Sequence, residues 1–328
     1  MNRKTNAIYN MNTKTAFTET IPEKQLRDIA MACFRDTAPL ETAAGRDICT
    51  FSGAEEDAVW KAVMGTMLRS RSRELAAKVM SKYYKWCVET DVPGAVEHEP
   101  VKQEVIDAVN ADLLIFSPAH LQSILDKIFD PEADGTVDNT YRCFYWMAYA
   151  GLSTESIMML KPEHFDLKSF LVSVNGEHGI LYRQAILCIE NCISIPQFLY
   201  EHPLYANQVM KDRIPGDYVL RGIRGTYDDP ARYYKSLSIT LSRRVNASGT
   251  NLSYHSCYYG GLFYRIHEQE LCYGTRPDLK SIAVDTPAGK RIADTAAEYR
   301  TSVHERLYQI SSKIEKDYQL WKKALNQR

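Results

Sequence analysis

The sequence lacks the features that mark metal-binding, disulfide-linked, secreted or membrane-spanning chains. Its eight cysteines are scattered and form no Cys-x-x-Cys pair, which argues against a zinc site and against a disulfide framework. No run approaches the roughly 20 apolar residues that a membrane-spanning helix needs, and no apolar segment follows the polar N-terminus as in a signal peptide. We therefore expect a cytoplasmic protein with no metal, no cofactor and no membrane partner.

The chain also lacks the overall basic excess that many nucleic-acid-binding proteins show. Its 40 lysine and arginine residues are balanced by 41 acidic residues, for a net charge of −1. The distribution of charge matters more than the sum. The segment 61–86 holds seven basic residues and one acidic residue, a local charge of seven minus one, or +6, whereas 87–112 is strongly acidic. A near-neutral total therefore conceals a basic patch beside an acidic connector.

A length of 328 residues predicts two domains. We expect residues 1–50 to form an N-terminal extension that is polar and mobile over its first 20 residues and helical over 22–35. Residues 51–113 are predicted to form a small helical domain and the connector. Its helices are expected over 54–69 and 71–90, with a short helix over 101–110. Residues 114–328 form the second domain.

The second domain is predicted to be mainly helical with one small sheet. Ser117 and Pro118 are a typical N-cap and first helical residue, and helices are also expected over 139–150, over 195–200 and from Pro230. Two apolar runs, 170–174 and 180–187, flank the turn residues Asn175, Gly176 and Gly179 and predict a β-hairpin. The C-terminal segment 297–325 carries a long apolar stripe at helical spacing.

Two short segments of the second domain, 150–160 and 252–261, carry the residues that matter most for the function. In the segment 150–160, Gly151 and Leu152 precede Ser153, and Glu155 and Leu160 follow it. In the segment 252–261, a histidine and a tyrosine lie three residues apart. These two residues are His255 and Tyr258.

These segments resemble the two signature boxes of the tyrosine recombinases, the phage-integrase family, and the resemblance extends over about residues 60–320. In that family, arginines at the positions of Ser153 and Tyr258 grip the DNA phosphate that is cut. The resemblance implies a helical core-binding domain followed by a catalytic-type domain with a small sheet. It also implies double-stranded DNA as partner, and a C-terminal element that packs onto a neighbouring protomer.

The remaining catalytic positions of the family are also altered. Its hairpin lysine falls near Glu177 or His178, and Glu177 would bring a negative charge to a phosphate. The attacking tyrosine is nearest in position to Tyr299, with Tyr308 and Tyr318 also near this end of the chain. The family's final His-Gly-His pattern does not occur after His267.

Loss of both arginines should remove most of the catalytic rate. A tyrosine hydroxyl is neutral near pH 7 and cannot give the bidentate, charge-assisted contact of a guanidinium. Phosphoryl transfer depends on positioning and on neutralising charge. We therefore expect no catalytic residue among the family positions Ser153, Glu177, His255, Tyr258 and Tyr299, although His255 keeps the family's histidine.

The residues predicted to contact DNA lie in three groups. The basic side of the first domain contributes Arg69, Arg71, Arg73, Lys78 and Lys82. The segment 211–246 contributes Arg221, Arg224, Arg232, Lys235, Arg243 and Arg244. The second box and its helix contribute His255 and Arg265. Each group has an ordinary alternative: a solvated helix face, a favourable charge at a helix C-terminus, or packing within the core.

The resulting hypothesis is a sequence-specific DNA-binding regulator, associated with the bacterial nucleoid, that represses the lytic genes of a phage or prophage by occupying operator sites. One alternative is a divergent active recombinase that uses Tyr299 or Tyr308. Another is a protein-interaction module on the same fold. The apolar C-terminal stripe leaves two arrangements open, a homo-oligomer and packing onto its own chain. A regulatory peptide or protein that releases the DNA is a further candidate partner.

Overall fold

A computed structural model describes residues 7–66, 70–99, 114–129, 137–201, 208–221, 230–294 and 302–327. The chain divides into two compact units, Met1–Asp112 and Leu113–Arg328. The break lies one residue before the boundary predicted between residues 113 and 114. Among the described residues, no helix is long and apolar enough to cross a membrane.

The described part of the first unit is helical. Its helices are Met11–Glu19 (α1), Lys24–Ala44 (α2), Ala54–Thr66 (α3) and Ser70–Glu89 (α4). The sequence predicts α3 and α4, and it predicts only the first half of α2. It does not predict α1, which falls in the stretch expected to be mobile. The short helix predicted over 101–110 lies outside the described residues.

The N-terminal segment belongs to the core of the first unit and is not a separate extension. Phe17 of α1 packs edge-on against Phe34 of α2 and Tyr83 of α4, with ring centroids 6.2 and 5.1 Å apart. Lys14 of α1 is fully buried and forms an ion pair with the equally buried Glu41 of α2. Helix α1 is hard to recognise from composition alone, because its inner face carries the charged Lys14. The partner of that charge, Glu41, lies 27 residues away in the sequence.

The second unit is mainly helical with two small antiparallel sheets, which confirms the expected fold class. Its helices are Pro118–Ile128 (α5), Asp138–Ala150 (α6), Thr154–Met158 (α7), Arg183–Ser194 (α8), Pro230–Ser248 (α9), Tyr254–Tyr273 (α10), Leu279–Asp285 (α11), Pro287–Asp294 (α12) and Val303–Leu325 (α13). Its strands are Phe165–Asp166 (β1), Leu171–Val174 (β2), Glu177–Ile180 (β3), Gln197–Glu201 (β4) and Gln208–Asp212 (β5).

The hairpin β2–β3 is built on a two-residue turn. Asn175 and Gly176 have φ angles of 51° and 73°, the left-handed conformations that a type I′ turn needs. Val174 pairs with Glu177 across the turn, so Glu177 is the first residue of β3. The register therefore places the side chain of Glu177 next to the turn of the hairpin.

Two secondary-structure predictions are wrong. The second strand of the hairpin is predicted to continue to residue 187, but it ends at Ile180 and the helix α8 begins at Arg183. The apolar residues of α8 recur at three- and four-residue spacing, which buries them against α6. The helix predicted over 195–200 is instead the strand β4, which has a full antiparallel partner in β5.

Helices α6 and α10 cross at backbone contact. A Cβ atom at Gly261 of α10 would lie 1.9 Å from the carbonyl oxygen of Tyr149 in α6, so only glycine fits at this crossing. Helix α6 is buried over most of its length. The crossing brings the first turn of α10 close to the segment that follows α6.

The C-terminal helix α13 folds back onto its own chain. Ile314, Tyr318 and Trp321 are buried in a cluster that includes Phe116 and Phe263. The indole N–H of Trp321 donates to the carbonyl of Ile115 over 2.9 Å. This half of the apolar stripe is therefore covered within the chain, so a homo-oligomer built through it is not supported.

We predict that Trp321→Ala lowers the free energy of unfolding by about 3–5 kcal/mol, because it leaves a large cavity and an unpaired carbonyl at Ile115. Urea-induced unfolding measures this change. Tyr308→Ala is the matched control on the same helix, since Tyr308 is 61% exposed, and it should leave stability nearly unchanged. Equal effects of the two variants would contradict packing of Trp321 within its own chain.

Candidate nucleic-acid interface

The short helix α7 begins directly after Ser153, the residue that the resemblance aligns with the first arginine. The Ser153 hydroxyl accepts a hydrogen bond from the backbone N–H of Ser156 over 3.1 Å, so the residue acts as the N-cap of α7. Its own backbone N–H donates to a carboxylate oxygen of Glu177 over 2.7 Å. Ser153 is buried. The residue thus stabilises a helix start and orients a carboxylate.

Glu177 also contacts a lysine from a distant part of the sequence. Its second carboxylate oxygen lies 3.2 Å from Nζ of Lys290 in α12. The Glu177 side chain is 11% exposed, so its charge is held in place between Lys290 and the start of α7. A negative charge at this point would repel a phosphate group.

The first turn of α10 completes this region. The hydroxyl of Tyr254 donates to the carbonyl of Leu152 over 3.0 Å. The exposed His255 lies at the edge of the Tyr254 ring, and the ring of the buried Tyr258 lies 5.9 Å from that of Tyr254. Burial raises the pKa of both Tyr254 and Tyr258. These phenols therefore stay neutral at physiological pH.

The structure brings together four of the five positions that the sequence resemblance singled out. Ser153 and Glu177 are joined by a hydrogen bond. The rings of His255 and Tyr258 both pack against the ring of Tyr254. The fifth, Tyr299, lies outside the described residues. In the part of the chain that the structure describes, no group of three His, Cys, Asp or Glu residues could hold a metal ion.

Two members of this cluster are not identified from the sequence. Lys290 is separated from Glu177 by 113 residues and lies in no motif. Tyr254 adjoins the histidine of the second box, but nothing in the sequence pattern distinguishes it from the many other tyrosines of the chain. Only the tertiary structure identifies these two partners.

Arg265, predicted to contact DNA, instead stabilises the end of α6. Its guanidinium donates to the carbonyl of Tyr149 over 2.7 Å. The same guanidinium lies next to Gly151, which follows α6, and next to Gly261 of α10. The last carbonyls of a helix lack partners within the helix. Arg265 of α10 donates a hydrogen bond to one of these carbonyls. Its charge is therefore engaged inside the unit.

Helix α9 presents a continuous exposed face, which we call the α9 surface. Its members recur at three- and four-residue spacing, opposite the buried Leu237, Leu241 and Val245. They are Arg232, Lys235, Ser236, Ile239, Ser242, Arg243 and Asn246. The 19 residues of α9 include four basic residues and no acidic residue. Among the described residues, no carboxylate forms an ion pair with Arg232, Lys235 or Arg243.

Two other arginines predicted to bind DNA in this region have partners within the chain. Arg244 forms an ion pair with Asp138, and its guanidinium lies 5.6 Å from the centre of the Phe129 ring. The half-buried Arg221 donates to the carbonyl of Gly216. Arg244 thus links α9 to α6, and Arg221 closes a local loop. Arg224 lies outside the described residues.

The basic side of α4 is smaller than the sequence indicates. Arg73 is 1% exposed, and its Nε–H donates to the carbonyl of Met64 over 3.2 Å. The structure therefore excludes Arg73 from a surface contact. Lys78 and Lys82 are exposed as predicted. Arg69 and the side chain of Arg71 lie outside the described residues.

We predict that Glu177 and Lys290 are coupled by about 1 kcal/mol in a double-mutant cycle with Glu177→Gln and Lys290→Met, because the carboxylate is largely buried. Urea-induced unfolding of the single and double variants gives the coupling. The exposed pair Lys313 and Asp317 on α13, 2.6 Å apart, is the control, and its coupling should be about 0.3 kcal/mol. A smaller coupling at Glu177 than at this control would show that the contact does not form in solution.

No family model matches the chain, and no curated protein matches it. A crystal structure of XerA recombinase is similar over 97% of this chain and 96% of that chain, at 12% identity and a TM-score of 0.37. An integrase from mycobacterium phage Brujita is similar over 92% of this chain and 90% of that chain, at 14% identity and a TM-score of 0.32. At such low identity and TM-score, neither similarity establishes the family or the function of this chain.

Proposed function

We propose that the chain is a sequence-specific binder of double-stranded DNA that uses the α9 surface, and that it represses transcription by occupying its sites. The observation that carries the proposal is the charge of α9. A helix with four cations and no carboxylate presents three of those cations on one exposed face. Such a face suits a polyanion, because its positive charges are not neutralised within the helix.

The geometry of α9 fits the major groove, which admits an α-helix. Arg232 and Arg243 are 11 residues apart, a rise of roughly 16 Å along the helix. Long arginine and lysine side chains at this separation can reach the phosphates on both sides of the groove. Neutralising phosphates releases counterions, and this makes the affinity depend on salt.

The cluster around Glu177 supports binding without cleavage. A fixed carboxylate lies beside Ser153, and a buried neutral phenol takes the second arginine position. Neither group can stabilise the charge that develops on a phosphate in the transition state. A duplex-binding protein without this chemistry acts by occupancy, since it excludes other proteins from its site.

Capture of genomic fragments tests the proposal. The purified protein is incubated at physiological salt with fragments from its own source, and the retained DNA is sequenced. We expect a discrete repeated site near promoters. A nicked duplex carrying that site should yield no covalent protein–DNA product. A covalent product would indicate an active recombinase, and retention of no fragment above background would indicate a protein-interaction module.

We predict that each of Arg232→Ala, Lys235→Ala and Arg243→Ala weakens binding to the recovered site. Each should lower the slope of log K against log salt concentration by about 0.9 for every phosphate that the variant no longer neutralises. Fluorescence anisotropy over a salt series measures the slope. Lys316→Ala is the control, because it removes a positive charge from an exposed position on α13. If Lys316→Ala changes the slope as much as the α9 variants do, the α9 surface is not the interface.

A further inference from the structure

Ile239 occupies the centre of the α9 surface. Its side chain is 48% exposed, and Arg232 and Arg243 lie on the same face, seven residues before it and four residues after it. Helix α9 packs onto the second unit through the opposite face, with Leu237, Leu241 and Val245. An exposed β-branched aliphatic side chain between two arginines therefore contributes little to the fold.

The other members of the α9 surface around Ile239 are polar. Ser236 and Ser242 lie three residues before and after it, and Lys235 and Asn246 lie further along the same face. These groups can form hydrogen bonds with base edges and phosphates. The Ile239 side chain cannot form hydrogen bonds. Its favourable contact in a bound duplex must therefore be with an apolar group.

The major groove exposes one large apolar group, the C5-methyl of thymine. Guanine, adenine and cytosine present hydrogen-bond donors and acceptors there, and apolar side chains make their specific contacts with the thymine methyl. Placing an isoleucine against any other base edge would desolvate a polar atom without a partner. The chemistry of the groove thus selects one base for this position.

We propose that Ile239 is a specificity-determining residue that contacts the C5-methyl group of a thymine at the centre of the recognised site. This inference rests on the proposed function, because it requires duplex DNA on the α9 surface. The flanking arginines hold the helix in the groove through phosphates. Ile239 then selects thymine over cytosine at one base pair.

The test removes the methyl group from the DNA and the branched side chain from the protein. Each thymine of the recovered site is replaced, one at a time, by 2′-deoxyuridine, which differs from thymidine only by the C5-methyl group. Equilibrium dissociation constants are measured by fluorescence anisotropy for the unmodified chain and for Ile239→Ala. Leu187→Ala is the control, since Leu187 is an exposed aliphatic residue on α8, with 58% exposure.

At one thymine, deoxyuridine should weaken binding of the unmodified chain about three- to fivefold, the effect of one buried methyl group. Ile239→Ala should bind the thymine and deoxyuridine duplexes equally, and Leu187→Ala should keep the difference. The inference is overturned if the unmodified chain binds every deoxyuridine duplex as tightly as the original. It is also overturned if Ile239→Ala retains the difference. Failure of the unmodified chain to bind any duplex is a separate result that overturns the proposed function itself.

Discussion

The crossing of α6 and α10 is the contact on which the second unit depends. Gly261 allows the two backbones to meet, and the guanidinium of Arg265 then reaches the carbonyl of Tyr149 near the end of α6. The same approach places Tyr254 beside Leu152. A larger residue at position 261 would separate the helices, and the hydrogen bond from Tyr254 to Leu152 would not form. The local geometry at Ser153 therefore follows from a packing constraint two turns along α10.

The cluster around Ser153 is ordered and internally paired. Its backbone is ordered by an N-cap, a two-residue turn and a helix crossing. Its side chains, however, satisfy one another, since Glu177 is paired with both Lys290 and the Ser153 N–H. The cations of the α9 surface lie elsewhere in the unit. The proposed separation of roles follows from these charges: the cluster stabilises the unit, and the helix contacts DNA.

The elements that can be predicted from the sequence are those whose determinants are local. Ser117 as an N-cap, Pro230 as a helix start and the Asn175-Gly176 turn all depend on residues next to one another, and the structure has each of them. Elements that depend on a distant partner are missed or wrongly predicted. The strand β4 needs β5, and α1 needs Glu41.

The candidate site is harder to predict for the same reason. A sequence shows that Arg73 or Arg265 carries a charge, but not that a carbonyl such as that of Met64 or Tyr149 already binds it. The exposed face of α9 is accessible to sequence analysis, because a long helix fixes which residues share a side. The pairing of Glu177 with Lys290 cannot be predicted in this way, because the two residues are 113 positions apart in the sequence.

The pairing of Glu177 with Lys290 also limits which residues position 177 can accept. The turn between β2 and β3 is only two residues long, so the register holds the backbone of position 177 in place beside α12. A single change of Glu177 to lysine would set two ammonium groups against each other beside Ser153. A cation at position 177 would thus require a compensating change of Lys290, which lies on a separate element. The charges at these two positions are therefore constrained together, although they lie far apart in the sequence.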